Sequence, residues 1–179
     1  MDAENGSARK REKLLQKAKL GKKLQNDDMD VANADKILRP LENYVGVFQP
    51  AKLKTIKIVS YPASILVLTD AHWISFYITD QCLEVMDSMG YFGKDEIGED
   101  LRAFVTAHAT AKTISTTPRL QPIDSDLCAL YAICFLYFRS YNCGSLCDFC
   151  KKLRPNLSLN TKIIKRLFAN VKLINKENY

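Results

Sequence analysis

The stretch that decides the fold is residues 72–90, which read HWISFYITDQCLEVMDSMG. It contains two apolar runs, Trp73–Ile78 and Cys82–Met86, with the polar dipeptide Asp80-Gln81 between them. Runs of β-branched and aromatic residues around a short polar break are typical of two antiparallel strands joined by a tight turn. The stretch therefore predicts a β-hairpin.

The register of this hairpin determines which side chains meet. With a two-residue loop, Thr79 faces Cys82, and His72 lies opposite Met89 at the open end. Because side chains alternate between the two faces of a sheet, His72 and Asp87 then share a face as diagonal neighbours. Their backbones would lie about 7–8 Å apart, a gap that these two side chains can bridge. The spacing predicts a His–Asp pair in which the carboxylate orients the imidazole, as in a catalytic triad.

Cys128 is the candidate nucleophile. It follows Asp124-Ser125-Asp126, three residues of the types that cap helix N-termini, and it precedes the apolar run Ala129–Phe138. A sulfur in the first turn of a helix is near free backbone N–H groups and the positive end of the helix dipole, and both favour the thiolate. The two aspartates oppose this effect by charge repulsion unless their carboxylates act as caps.

Gln121 completes the candidate site. It lies seven residues before Cys128, in a loop held by Pro118 and Pro122. A side-chain amide there is suited to donate a hydrogen bond to a developing oxyanion, together with the backbone N–H of Cys128. Each of these residues has an ordinary structural interpretation when taken alone, but their joint occurrence favours catalysis. The candidate catalytic residues are therefore His72, Asp87, Gln121 and Cys128.

The remainder of the chain predicts an α+β fold. Outside the hairpin, strands are predicted at residues 55–60, 64–69 and 113–116. Helical periodicity and its start and stop signals predict helices at residues 34–38, 99–108, 127–140, 145–153 and 159–170. Strands grouped in one block and helices in another are typical of the α+β class.

Composition excludes several classes of protein. The chain has 179 residues, of which 47% are hydrophobic and 26% charged, as in an ordinary globular domain. No apolar run approaches the roughly 18–20 residues that a bilayer requires, and no apolar segment follows the charged N-terminus as in a secretory signal. We therefore expect a soluble, monomeric intracellular protein. Its six cysteines should be reduced thiols, metal ligands or a nucleophile.

Charge is unevenly distributed along the chain. Residues 8–23 and residues 151–179 each carry a net charge of +7, whereas residues 24–150 carry −6. We expect residues 1–30 to form a mobile basic arm and residues 31–179 to form the globular domain. The arm is open to three interpretations: a solvated tail, sequence-independent contact with nucleic acid or a nuclear-import signal, and attachment to an anionic membrane surface. The candidate nucleic-acid-binding residues are Arg9, Lys10, Arg11, Lys13, Lys17, Lys19, Lys22 and Lys23, with Lys162, Lys165 and Arg166 as an extension of the same surface.

The cysteines after the apolar helix have two interpretations. Cys143, Cys147 and Cys150 form a C-x3-C-x2-C cluster, with Cys134 one helix away. Four thiolates can bind zinc, but the spacing is not the usual paired C-x2-C and no histidine is near in the sequence. Helical spacing also places the three clustered cysteines on one apolar core face, which is the favoured interpretation. We therefore expect no metal.

Several segments of the sequence resemble the adenovirus-type cysteine proteases (the adenain family) and, more distantly, the proteases that process SUMO. The matching segments are residues 44–48 (YVGVF), 72–77 (HWISFY), 85–90 (VMDSMG) and 120–131 (LQPIDSDLCALY). The resemblance implies that His72 is the general base and that Asp87 orients it. It also implies that Gln121 lines the oxyanion hole and that Cys128 is the nucleophile.

Some features distinguish this chain within the resemblance. Six residues separate Gln121 from Cys128, as in adenain, whereas the SUMO proteases typically have five. Adenain usually has glutamate where this chain has Asp87, although aspartate is normal in the SUMO proteases. The family generally has glycine after the nucleophile, where this chain has Ala129. A β-carbon there can narrow the site or shift the backbone N–H of the oxyanion hole.

The resemblance implies a papain-like core, in which a central, mostly antiparallel sheet packs against helices and the nucleophile begins a buried helix. It implies an endopeptidase that cleaves viral structural precursor proteins next to glycine during particle maturation, in the virion and in the cytoplasm or nucleus of the host cell. Trp73 would bind substrate by covering the entrance to the site. The chemistry requires no cofactor, although adenain uses DNA and a peptide as activators. Two alternatives stay open: a SUMO-type processing protease, and a nucleic-acid-binding accessory protein with an inactive protease fold.

Overall fold

The computed structural model describes residues 29–70, 72–92, 98–108, 112–116, 119–153 and 155–177, without the side chains of residues 176 and 177. The chain divides into two units, Met1–Asp30 and Val31–Tyr179, and all helices and strands given below belong to the second. Residues 1–28 of the predicted basic arm fall outside the described residues, so the arm and the nucleic-acid role of its lysines and arginines stay predictions.

The second unit has the predicted α+β composition. Its described elements are, in chain order, α1 (Val31–Leu38), β1 (Tyr44–Phe48), α2 (Pro50–Leu53), β2 (Ala63–Leu68), β3 (Trp73–Ile78), β4 (Cys82–Met86), α3 (Glu99–His108), β5 (Lys112–Ser115), α4 (Cys128–Ser140), α5 (Leu146–Lys152) and α6 (Leu157–Glu177). The predicted helices and all but one of the predicted strands fall on these elements. β1 and α2 are not predicted from the sequence.

The sheet is mixed, with five strands in the order β1-β2-β3-β4-β5. β2, β3 and β4 are antiparallel neighbours, whereas β1 runs parallel to β2 and β5 runs parallel to β4. The prediction of a mostly antiparallel sheet is therefore wrong at both edges. The reason lies in the connections, because α2 between β1 and β2, and α3 between β4 and β5, return the chain to the same end of the sheet before the next strand begins.

The strand predicted at residues 55–60 is absent. Residues 56–59 belong to no helix or strand. Ile56 and Ile58 are partly buried and pack against the apolar cluster that covers one face of the sheet. Alternate burial in a segment without strand pairing produces the same sequence pattern as a strand, which is why the pattern misleads here.

The hairpin of β3 and β4 has the predicted register. Ile78 pairs with Leu83, and the backbone N–H of Thr79 donates to the carbonyl of Cys82 at 2.8 Å. The loop between the strands is therefore the two-residue turn expected from the sequence. With this register, His72 directly before β3 and Asp87 directly after β4 are on the same face of the sheet, as the alternation of side chains predicts.

The two faces of the sheet are covered by different helices. On one face, Phe76 of β3 joins an apolar cluster with Leu101 and Phe104 of α3. On the other face, the hydroxyl of Ser75 donates to the carbonyl of Ala132 in α4 at 3.2 Å. Most side chains of α4 are buried, and each large one contributes about 1.5–3 kcal/mol of burial free energy. The helix is thus held firmly against the centre of the sheet, and the position of its N-terminus is fixed.

The C-terminal helix α6 packs on α4 and is longer than predicted. Ile164 and Phe168 are buried at helical spacing. Near the end of the helix, the side-chain amide of Asn175 donates to the carbonyl of Ile37 at 3.0 Å, which ties the last turns to α1. In the described part of the chain, no helix is both long enough and apolar enough to cross a bilayer.

Three segments of the chain meet at one end of the sheet. β3 begins at Trp73 and β4 ends at Met86, and because these strands are antiparallel, their flanking residues His72 and Asp87 emerge at the same end. The first residue of α4, Cys128, lies at this end as well, since His72 and the backbone of Trp73 are among the groups that lower the pKa of its thiol. The topology therefore assembles the candidate site from residues that are far apart in sequence.

Candidate active site

His72 and Asp87 form the contact that the hairpin register predicts. Nε2 of His72 lies 2.7 Å from Oδ1 of Asp87. The imidazole side chain is 14% exposed and the carboxylate is fully buried. A buried carboxylate against one ring nitrogen fixes the orientation of the imidazole and favours its protonated form.

Backbone N–H groups also hold the Asp87 carboxylate. Oδ1 accepts from the N–H of Met89 at 2.9 Å, and Oδ2 accepts from those of Tyr91 at 2.7 Å and Phe92 at 2.8 Å. Burial by itself raises the pKa of this carboxyl, but the hydrogen bond from His72 and the backbone donors outweigh burial and hold the pKa below its ordinary value. Asp87 is therefore an anion at neutral pH.

Thr116 holds the backbone of Asp87, a role that no sequence pattern indicates. Its Oγ1 accepts from the N–H of Asp87 at 2.9 Å and donates to the carbonyl of the same residue. Its own N–H donates to the carbonyl of Val85 at 3.1 Å. Thr116 follows β5 directly, so the parallel pairing of β5 with β4 brings it to Asp87. Knowledge of the pairing between β5 and β4 would have predicted the contact between Thr116 and Asp87.

Cys128 begins α4, but the predicted caps are absent. The cap position is occupied by Leu127, and no side chain of the described residues caps the helix there. Asp124 and Asp126 are exposed, and the Ser125 hydroxyl accepts a long hydrogen bond of 3.4 Å from the N–H of Leu127. The prediction is wrong because burial of Leu127 places the helix start one residue later than a capping aspartate requires. Exposed to water, both aspartates repel the sulfur only weakly.

Cys128 and His72 shift each other's pKa in opposite directions. Burial raises the pKa of the thiol, but the hydrogen bond with His72 and backbone N–H donors outweigh burial and lower that pKa. Burial lowers the pKa of His72, but hydrogen bonds to Asp87 and Cys128 outweigh it and raise that pKa to about 9. Together the shifts favour a thiolate–imidazolium pair.

Trp73 contributes to the site through its backbone. Its backbone N–H helps to lower the pKa of the Cys128 thiol, an effect that is not predicted from the sequence. The indole side chain is buried. Its predicted role in covering the entrance to the site stays a prediction.

Gln121 is held by two polar groups and is almost completely buried. Its Oε1 accepts from the hydroxyl of Ser88 at 2.8 Å, and its Nε2 donates to the carbonyl of Ser125 at 3.1 Å. Ser125 lies three residues before Cys128, so the amide is fixed beside the segment that leads into α4.

Tyr91 packs against the imidazole of His72. The two rings meet edge to face, with centroids 6.1 Å apart and an angle of 72° between their planes. Because the backbone N–H of Tyr91 also donates to Asp87, one loop supports both the carboxylate and the ring that it orients. An aromatic residue four positions after the aspartate is the sequence feature that could have indicated this contact.

The cysteines after α4 do not share a core face. Cys143 precedes α5 and is exposed, Cys147 lies in α5 and is exposed, and Cys150 is half-buried. The favoured interpretation of one apolar face is therefore wrong, because the helix begins after Cys143 and turns Cys147 to the surface. Cys134 is buried within α4. Across the described residues, no three His, Cys, Asp or Glu side chains are grouped as a metal site requires.

Comparisons with known proteins give little beyond this geometry. No protein-family model and no curated protein matches the chain. Among solved structures, it is similar to the central domain of the uncharacterized Lpg1148 protein from Legionella pneumophila, with 12% identity, a TM-score of 0.48, and coverage of 84% of this chain and 94% of that one. We draw no conclusion about function from so distant a likeness.

Proposed function

We propose that the protein is a cysteine endopeptidase in which Cys128 is the nucleophile and His72 the general base. The observation that carries the proposal is the hydrogen bond between His72 and Asp87 at one end of the sheet, beside Cys128, whose thiol and the imidazole of His72 shift each other's pKa. Distant segments of the chain bring a thiol, an imidazole and a buried carboxylate together, and the pKa shifts of the first two favour the reactive ion pair. Nucleophilic acyl transfer requires such an arrangement.

In the first half of the reaction, the Cys128 thiolate attacks the carbonyl carbon of the scissile peptide bond. A C–S bond forms and the carbonyl π pair moves onto oxygen, which gives a tetrahedral intermediate. The amide of Gln121 and the backbone N–H of Cys128 supply the hydrogen bonds that stabilise this oxyanion. As the intermediate collapses, the C–N bond breaks and the leaving amine takes its proton from the imidazolium of His72.

In the second half, water attacks the carbonyl carbon of the thioester while neutral His72 accepts a proton from it. The new tetrahedral intermediate collapses with cleavage of the C–S bond. This step releases the carboxylic acid and restores the thiolate–imidazolium pair. Asp87 stays ionised throughout, because its role is to orient the ring and to stabilise the imidazolium rather than to exchange protons.

Restricted access to the sulfur favours substrates with a small residue at the cleavage site. Cys128 is only 7% exposed, so a substrate with a small residue beside the scissile carbonyl approaches the sulfur more easily than one with a bulky residue there. Glycine satisfies this requirement and agrees with the resemblance to adenain. On that resemblance we propose viral structural precursor proteins as substrates. Activation by DNA or a peptide, and a location in the virion, are proposed on the same resemblance.

A pair of peptides that differ at one residue tests the proposal. Fluorogenic peptides whose scissile carbonyl belongs to glycine should be hydrolysed, and matched peptides with valine there should react about 10–100-fold more slowly because the side chain blocks approach to Cys128. The Cys128→Ala variant provides the blank. If no peptide is cleaved and iodoacetamide does not label Cys128 at neutral pH, the endopeptidase proposal is wrong and the accessory-protein alternative is supported.

One residue favours a second candidate function, the processing of ubiquitin-like proteins. Asp87 has the identity that is normal in the SUMO proteases rather than the glutamate of adenain. A SUMO-type precursor and a capsid-precursor peptide, each with glycine at the cleavage site, separate the two functions. Preferential cleavage of the SUMO-type precursor would select the second.

The pKa shifts predict the pH dependence of peptide hydrolysis. The value of kcat/KM should rise as Cys128 loses its proton below the ordinary thiol pKa, and it should fall as His72 loses its proton near pH 9. Alkylation of Cys128 by iodoacetamide should show the rising limb without the fall, because alkylation requires the thiolate alone. A descending limb of kcat/KM centred near pH 6.5, the ordinary pKa of histidine, would contradict the ion pair.

A further inference from the structure

We propose that Ser88 is a positioning residue that aims the amide of Gln121 at the oxyanion, an inference that rests on the proposed endopeptidase function. Ser88 follows Asp87 directly and is buried. It touches neither the sulfur nor the imidazole in any hydrogen bond of the described residues, so its effect on the reaction passes through Gln121.

Ser88 makes three hydrogen bonds to the segment that carries the amide. Its hydroxyl donates to Oε1 of Gln121 at 2.8 Å. Its backbone carbonyl accepts from the N–H of Leu120 at 2.8 Å and from that of Gln121 at 3.2 Å. One residue therefore fixes both the backbone of Gln121 and the far end of its side chain.

The partners of the amide determine which way round it lies. The carbonyl of Ser125 can only accept a hydrogen bond, so the amide end beside it must be Nε2. Oε1 then faces Ser88, whose hydroxyl donates its proton there. Nε2 carries two hydrogens, and Ser125 takes one of them. The second is the hydrogen that Gln121 has for a substrate oxyanion.

The backbone before Gln121 is also anchored by two helices. The carbonyl of Leu120 accepts from the hydroxyl of Tyr131 in α4 at 3.1 Å and from the side-chain amide of Asn160 in α6 at 2.9 Å. Because this carbonyl and the two N–H groups bound by Ser88 lie on one short segment, the loop has little freedom to rotate. A donor that is fixed before the substrate binds needs no reorganisation during the reaction.

The turn after β4 thus serves both halves of the site. Asp87 orients His72, and Ser88, the next residue, orients Gln121. The proton-transfer side and the oxyanion side are set by neighbouring residues of one buried turn. Loss of the Ser88 hydroxyl should therefore impair stabilisation of the oxyanion while leaving the thiolate–imidazolium pair unchanged.

Two reactions of Cys128 separate these effects without a known protein substrate. Acylation by p-nitrophenyl acetate passes through a tetrahedral oxyanion, whereas alkylation by iodoacetamide does not. In Ser88→Ala, the rate of acylation should fall about 10-fold, which is less than the loss expected when an oxyanion donor is removed entirely. The rate of alkylation should stay within about twofold of the wild-type rate. Rates are read as p-nitrophenolate release above the Cys128→Ala blank and as modification of the Cys128 peptide by mass spectrometry.

Ser75→Ala is the matched control. Ser75 is also a buried serine, and its hydroxyl also donates to an oxygen, the carbonyl of Ala132, but it makes no contact with Gln121. This variant should keep both rates. A double-mutant cycle completes the test, because in a Gln121→Ala background Ser88→Ala should cause no further loss of acylation.

The outcomes distinguish the positioning role from the function on which it rests. If the wild-type protein is acylated fast and Ser88→Ala is acylated equally fast, Ser88 is not a positioning residue. If Ser88→Ala loses acylation and alkylation equally, or if its loss adds to that of Gln121→Ala in the cycle, Ser88 has a general structural role. Either result would also overturn the positioning role. If wild-type Cys128 is acylated no faster than a free cysteine, the endopeptidase proposal fails, and the role of Ser88 fails with it.

Discussion

Replacing Cys128 with alanine should reduce peptide hydrolysis by at least about 10⁴-fold, while the protein still folds. The reaction needs a sulfur that attacks carbon and then leaves it, and water alone cannot replace a nucleophile that is activated by His72. The substitution removes only the sulfur of the first residue of α4, which costs about 1 kcal/mol of unfolding free energy. Hydrolysis of the glycine peptide and urea denaturation measure the two quantities.

A second cysteine of the same helix supplies the matched control. Cys134 is buried in α4 and its thiol donates to the carbonyl of Ile164 at 3.9 Å. Burial raises the pKa of this thiol, so it is neutral and unreactive. Cys134→Ala should lose about 1–2 kcal/mol of unfolding free energy through the cavity, yet keep its kcat. Cys128→Ala should therefore cause the larger loss of activity, and Cys134→Ala the larger loss of stability.

Either of two results would contradict the assignment of Cys128. One is hydrolysis by Cys128→Ala above about 1% of the wild-type rate, since that would place the nucleophile elsewhere. The other is equal loss of activity in Cys134→Ala at temperatures where that variant is folded. Circular dichroism under the assay conditions establishes that both variants are folded before their rates are compared.

How much of the site the sequence predicts depends on how local its contacts are. The register of β3 and β4 is set by a two-residue loop, so the contact between His72 and Asp87 follows from spacing along the chain. The apolar run after Cys128 likewise predicts α4 from local composition, although the helix begins one residue later than the predicted residue 127. The support that Thr116 gives to Asp87 depends on a crossover between β4 and β5, whose direction no local pattern reveals.

Backbone and burial effects limit the prediction in a second way. The N–H of Trp73 that helps to lower the pKa of Cys128 has no sequence signature, because every residue except proline carries such a group. At the start of α4, the capping preference of Asp126 competes with the burial of Leu127, and burial prevails. The α+β class and the contact between His72 and Asp87 can thus be predicted from the sequence, whereas the support from Thr116 and from the backbone of Trp73 cannot.

Replacing Asp87 with asparagine should lower kcat at neutral pH by about 10²–10³-fold and the unfolding free energy by about 2–4 kcal/mol. The carboxylate accepts backbone hydrogen bonds on both oxygens, from Met89 on Oδ1 and from Tyr91 and Phe92 on Oδ2. An asparagine has one oxygen, so either orientation sets its NH₂ group against backbone N–H donors. The imidazolium of His72 also loses its buried counter-charge.

The loss of stability should depend on pH in a direction that the pKa shifts determine. The folded pKa of Asp87 is lowered from 3.8, so its contribution is present above about pH 4 and is lost as pH falls through the folded pKa. The pKa of His72 is raised from 6.5 to about 9, so its contribution is present below pH 6.5 and is lost as pH rises through 9. The difference between wild type and Asp87→Asn should therefore be largest between about pH 4 and pH 6.5.

The same substitution should move the pH profile of hydrolysis. Without the Asp87 carboxylate, the largest of the effects that raise the pKa of His72 is gone, so the descending limb of kcat/KM should shift from near 9 toward 6.5. Asp148→Asn is the matched control, because Asp148 also accepts backbone and hydroxyl hydrogen bonds, from Ser145, but lies in α5 away from His72. Asp148→Asn should leave the descending limb of kcat/KM at the wild-type pH. An unshifted limb in Asp87→Asn, or a stability difference that is constant from pH 4 to pH 9, would show that Asp87 does not hold His72 in its protonated form.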